Sequence, residues 1–222
     1  MPPMPRLIPI IGLAMAILGA RPVAAASDIS DDFRQYYRQH VVSDAEPNTL
    51  GFLLDAAKAG TSAEQVLKPS KTRSVIVDRR NGYLQIDDSS DTDQILTMAL
   101  YTKADGSSLL VVGSADCADA CIYLVQSFIA AGEQLQPVAR DAVFPSIAPA
   151  AFIKPGHTTP KALAALTPTI NYVPARVGTS LTLTPWYGYE VEEQMNRDTR
   201  NAIRNIVLTW DGKQGRFVSD AR

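Results

Sequence analysis

Histidine and cysteine are nearly absent, with two of each in 222 residues. A histidine-rich zinc site therefore has no ligands to draw on, and no His-Glu-x-x-His pattern occurs. No Gly-x-Ser-x-Gly elbow or Ser-x-x-Lys pair is present to raise a serine nucleophile. Neither common glycine-rich phosphate loop appears. These gaps argue against metal-, nucleotide- and cofactor-dependent catalysis, and the expectation is a chain without a cofactor. Basic charge is also scarce. Lys and Arg total 21 against 23 acidic side chains, so no basic stripe is available to displace counterions from a nucleic acid. After residue 26 no apolar run approaches the roughly 20 residues that a membrane-spanning helix needs.

The first 26 residues read as an export leader. Arg6 supplies a short positive region, Leu7 to Leu18 is apolar, and Ala24 to Ala26 matches a small-residue cleavage site before Ser27. No cysteine lies near the cleavage point, and no paired arginine precedes the apolar run. Removing the leader takes Arg6 and Arg21 with it, leaving 19 basic and 23 acidic side chains, a net charge of −4. The expected product is a periplasmic or secreted chain, 27–222, without a membrane anchor. Cysteine use agrees. Cys117 and Cys121 are the two thiols, and in an oxidising compartment such a close pair is expected to form a structural disulfide. A redox pair is the weaker reading, because the cysteines sit between strand-like runs and open no helix.

Hydrophobic periodicity points to an α+β fold, an antiparallel β-meander with N-terminal helices packed on one face. Ser30 is a candidate cap for a helix over Asp31–Val41, with Phe33, Tyr36, Tyr37, His40 and Val41 at helical spacing. A second short helix follows Pro47, from Asn48 and Thr49 to Ala57, and another turn spans Ser62–Leu67. From Arg73 the period becomes two. Runs at 74–80, 83–87, 94–103, 108–113, 121–128 and 134–138 are separated by Asn81-Gly82, Asp105-Gly106, Cys117–Cys121 and Gly132, about six strands in all. Residues 137–174 hold seven of the prolines, which excludes a central strand. They read as an ordered crossover with short helices at Ile147–Ile153 and Lys161–Leu166, since Phe144, Phe152, Ile153 and Leu163 need burial. The last part reads as one long strand over 181–193, with a hairpin tip at 196–201, Gly188 as a bulge, and returning strands at 203–210 and 216–218. A helix over Glu190–Arg204 is the less favoured alternative. The whole of 27–222 is expected to form a single α+β domain. The alternatives are a division at the crossover and a duplicated helix-plus-sheet unit.

Three groups could carry function. Trp186, Tyr187 and Tyr189 form an aromatic patch, with the tyrosines expected inward and Trp186 on the opposite face as a contact or glycan-stacking residue. His157, in a turn-rich loop, is a candidate binding residue or general base. Asp87, Asp88, Asp91 and Asp93 form an acidic run. It is a weak calcium candidate without EF-hand spacing, and Arg79 and Arg80 are positioned to neutralise it. No catalytic constellation emerges, and the balance leans away from an enzyme. The expected function is a non-enzymatic exported binding protein that contacts another protein or an envelope component. The alternatives are a small envelope hydrolase using paired carboxylates on a glycan or peptidoglycan, and a structural envelope factor.

Overall fold

The computed structural model describes residues 28–43, 49–118, 120–131 and 133–219. The expected leader at 1–26, Pro47 and Asn48, and the Gly132 turn lie outside these described residues.

The alternating segment beginning at Arg73 folds into a six-stranded antiparallel sheet in simple chain order. Its strands are β1 (Arg73–Asp78), β2 (Tyr83–Asp88), β3 (Asp93–Thr102), β4 (Ser108–Cys117), β5 (Cys121–Ala131) and β6 (Gln134–Pro137). The Asn81-Gly82 hairpin forms with a longer loop than a two-residue turn. Arg79–Asn81 make a 3₁₀ turn, the Asp78 carboxylate accepts from the Asn81 N–H at 3.2 Å, and Gly82 closes the loop at φ 59°.

Both faces of this sheet are covered. On one side lie α1 (Ile29–Tyr36), continuing as a π-helical stretch over Tyr37–Ser43, then α2 (Gly51–Lys58) and α3 (Ala63–Val66). Phe33, Tyr36, Tyr37, Val41, Phe52 and Leu53 from the helical layer meet Leu84, Ile86, Leu96, Met98, Leu110 and Val112. Their strand neighbours Tyr83, Ala99, Tyr101, Leu109 and Val111 point the other way, into a second apolar cluster. Side chains alternate across a strand, so burial on both faces makes β4 continuously apolar from Leu109 to Val112. The first helix starts earlier than expected. Asp28 is its cap, accepting from the Ser30 N–H at 2.9 Å, and Ser30 itself lies within the helix. The α2 N-terminus has no local side-chain cap. Gln94 of β3 supplies one instead, its Oε1 accepting from the Phe52 N–H at 3.0 Å.

The second cluster is closed by a four-stranded antiparallel sheet, ordered β10-β9-β8-β7. Its strands are β7 (Thr169–Pro174), β8 (Ser180–Trp186), β9 (Ile206–Asp211) and β10 (Arg216–Ser219). Tyr172, Leu181, Leu183, Ile206, Leu208, Trp210 and Phe217 face the six-stranded sheet, so the two β regions share one core. The layers approach so closely at Gly113 that a Cβ there would sit 2.7 Å from the Tyr172 carbonyl oxygen. The opposite face of the smaller sheet carries Val173 and Val207, both exposed, with Thr182 between them in register.

Several expectations for the second half are corrected. The proline-rich crossover ends before Thr169, because 169–174 is an edge strand, a place where Pro174 costs no central ladder bond. Within the crossover a short helix α4 forms at Arg140–Val143, residues 149–152 make only a 3₁₀ turn, and 161–165 make only backbone turns. Phe144, Phe152, Ile153 and Leu163 are buried as expected. The long strand over 181–193 stops at Trp186, and the supposed hairpin tip is helical. Gly188, at φ 93°, breaks the strand, and α5 (Tyr189–Gln194) and α6 (Arg197–Ala202) follow. Asn196 caps α6, its side chain accepting from the Thr199 N–H at 2.8 Å.

Candidate functional site

The aromatic patch assembles where β8 ends. Trp186 points outward from the strand and is half-buried. The chain then turns through Gly188, so the strand alternation expected for the tyrosines does not reach them. Tyr187 packs beside Ile153, Leu163 and Met195, in a small cluster between the crossover and α5. Tyr189, the first residue of α5, is 41% exposed. Its ring meets Trp186 edge-on with centroids 5.0 Å apart. The turn into α5 thus folds one aromatic of the patch over the other.

The patch lies against the stapled end of the larger sheet. Cys117 and Cys121 form the expected disulfide, facing each other across the β4–β5 turn. The Tyr189 hydroxyl lies 3.5 Å from the Cys121 Sγ. Burial, together with Tyr189 and the Glu192 carboxylate, holds the Tyr123 hydroxyl of β5 above its ordinary pKa. Burial and Glu192 do the same for Tyr187. Tyr123, Tyr187, Tyr189 and Glu192 therefore form one electrostatic neighbourhood. Neither Tyr123 nor Glu192 was expected from the sequence. Tyr123 lies 66 positions before Tyr189, and only the packing of the two sheets brings them together.

His157 stands apart. It occupies an exposed turn closed by its N–H donating to the Lys154 carbonyl at 3.1 Å. No ring contact joins it to the Trp186 group among the described residues.

The acidic run is also dispersed. Asp88 is 3% exposed and pairs with Arg73, its cross-strand neighbour, at 2.7 Å. The expected neutralisers Arg79 and Arg80 do not take this role, and Arg79 instead pairs with Asp28 at 3.2 Å. Burial raises the Asp88 pKa, but hydrogen bonds from Ser90 and Arg73 outweigh it and hold the carboxyl below its ordinary value. That is the opposite of what a general acid requires. Asp87 accepts from Ser74 at 3.0 Å and from Gln85 at 2.8 Å. Asp91 and Asp93 stay separate from these pairs, and no three His, Cys, Asp or Glu side chains converge to hold a metal among the described residues. A cleft of about 440 Å³ runs beside Asp87, Asp88 and Asp93, with Ser70, Thr72 and Ser89 on its walls.

A second groove, of about 530 Å³, adjoins the aromatic patch. It is lined by Lys154, Thr184, Pro185, Glu192, Arg200 and Arg204, among others. Backbone pairing builds it. The crossover bridges the α6–β9 joint at Ile153 and Ile203, the Lys154 N–H donates to Ala202 O, and the Arg204 N–H donates to Phe152 O, both at 2.8 Å.

The molecule is thus a three-layer α+β protein, with helices, a six-stranded meander and a four-stranded antiparallel sheet. No helix among the described residues is long and apolar enough to cross a membrane. No family model matches the chain, and no curated protein matches it. Among solved structures it is similar to a domain of an uncharacterized protein from Porphyromonas gingivalis W83. The TM-score is 0.54 at 13% identity, over 86% of this chain and 98% of that one. At that identity the likeness describes the fold alone.

Proposed function

We propose that this chain is an exported, non-enzymatic binding protein that contacts an envelope component through the aromatic face at the end of β8. The observation that carries the reading is the exposed Tyr189 ring packed on Trp186 beside the disulfide. Aromatic rings supply large contact area at low entropic cost and are enriched in binding hot spots. The disulfide and the leader-like first 26 residues support an oxidising address. In the acidic cleft Asp88 is committed to Arg73 and Ser90 and held below its ordinary pKa, which weighs against its use as a general acid. The test is co-sedimentation of purified protein with isolated cell-envelope fractions. The Trp186→Ala/Tyr189→Ala double variant is expected to lose about tenfold or more of the retained protein, in keeping with two hot-spot truncations, with an unchanged thermal melt. Equal retention of the variant would contradict the reading.

A further inference from the structure

The groove beside the aromatic face is lined by more positive than negative side chains, although the chain as a whole carries a net negative charge. Three cations, Lys154, Arg200 and Arg204, line it against the single carboxylate of Glu192. None of the three forms an ion pair among the described residues. The guanidinium groups are held in place by main-chain carbonyls. Arg204 Nε donates to Ala151 O at 2.8 Å, Arg200 Nε donates to Met195 O at 3.1 Å, and Arg200 also donates to Glu192 O. A carbonyl orients a guanidinium without cancelling its charge, so the positioned arginines and Lys154 leave the groove with an excess of positive charge over the Glu192 carboxylate. The groove lies beside the aromatic face. Thr184 lines the groove, and Trp186 is the next residue on the same face of β8, about 7 Å along the strand. Glu192 lines it too, one helical turn from Tyr189.

We propose that this groove binds the oxyanion of an acidic glycan, a carboxylate or phosphate carried on a sugar, with Trp186 and Tyr189 as the platform for the adjoining ring. The inference builds on the aromatic contact face and names the chemistry of its ligand. Arg204 and Arg200 offer the planar fork that such oxyanions accept, and Lys154 adds an exposed point charge at the rim.

Titration calorimetry tests this with three probes: a galacturonate hexamer, glucose 6-phosphate, and the neutral maltohexaose. The expected result is binding of at least one acidic probe, weakening with salt, and little or no binding of maltohexaose. The hexamer and the phosphate separate the carboxylate source from the phosphate source. Lys154→Gln, at an exposed position that leaves the fold undisturbed, should weaken the acidic probe severalfold. Arg204→Gln should weaken it by about tenfold or more, through the loss of a hydrogen bond to a charged group. Arg204→Lys, which keeps the charge and loses the fork, should fall between. Failure of both acidic probes to bind, or binding unchanged by Lys154→Gln and Arg204→Lys, overturns the proposal. If the acidic probe binds through Lys154 and Arg204 but Trp186→Ala/Tyr189→Ala leaves it unaltered, the oxyanion groove stands and the aromatic contact reading falls.

Discussion

The six-stranded sheet is covered by helices on one face and by another sheet on the other, while the four-stranded sheet is covered on one face only. Their sequences differ accordingly. In β4 the run from Leu109 to Val112 is apolar at every position, because each side chain has a layer to enter. In β8 polar and apolar residues alternate from Ser180 to Thr184, and the polar set lies on the half-buried outer face. The difference bears on function as well as packing. The enclosed sheet has spent both faces on cohesion. The half-open sheet ends in an aromatic pair, exposed Tyr189 against half-buried Trp186, and a cationic groove, and it keeps surface available for a ligand. Loops and element ends placed on a rigid scaffold are where binding residues concentrate.

The sharpest challenge to this picture is to remove one large side chain from each apolar cluster. Phe33 belongs to the helix-facing cluster, and Phe217 to the cluster between the sheets, where its ring stacks on Phe144 at 5.3 Å. Phe33→Ala and Phe217→Ala are each expected to cost about 3–5 kcal/mol in denaturant unfolding. Two separate clusters predict that the double variant is additive to within about 0.5 kcal/mol. A larger coupling would mean that the layers are not independent. A smaller effect is expected at the contact between the sheets. Gly113→Val must push its new side chain into the Tyr172 carbonyl, 2.7 Å from the ideal Cβ position, and should cost about 2–3 kcal/mol as overpacking. Unfolding midpoints that match the parent would show that the two sheets are not held as closely as described.

The pH dependence of Asp88 gives the smallest stability effect and concerns the enclosed sheet alone. Its folded pKa lies below the ordinary 3.8, so ionised Asp88 stabilises the native state above that value. The contribution is lost as pH falls through the lowered folded value. Unfolding midpoints measured below about pH 4 should drop more steeply for the parent than for Asp88→Asn, which has no such proton to gain. Parallel pH profiles would contradict the Arg73–Asp88–Ser90 assignment.

Much of the larger sheet was legible because tight turns and a period of two recur from Arg73 to Pro137, and six strands in chain order satisfy both signals. The stretch from Tyr189 to Ala202 was misread for a physical reason. Each of its helices has six residues, under two turns, too short to display a helical period over the alternation inherited from β8. The signals that decide it are local, namely the φ of 93° at Gly188 and the cap at Asn196. The site was legible in part. Trp186 and Tyr189 stood out as an aromatic cluster, and Cys117 and Cys121 as a pair. The groove was not, because Lys154 and Arg204 lie 50 positions apart and meet only through the Ile153–Ile203 bridge. His157 resembled a site residue through its turn-rich loop, but it occupies an exposed turn, and among the described residues no ring contact joins it to the aromatic patch.

The central claim is that ligand contact belongs to the half-open end of the molecule. Site-specific photocross-linking in native envelope tests it most directly, with the probe placed at exposed Glu190 of α5 in one protein and at exposed Val42 of the helical layer in another. The account predicts a discrete cross-linked species from position 190, lost on adding Trp186→Ala, and none from position 42. Cross-linking from position 42 alone, or to equal extent from both, would contradict it.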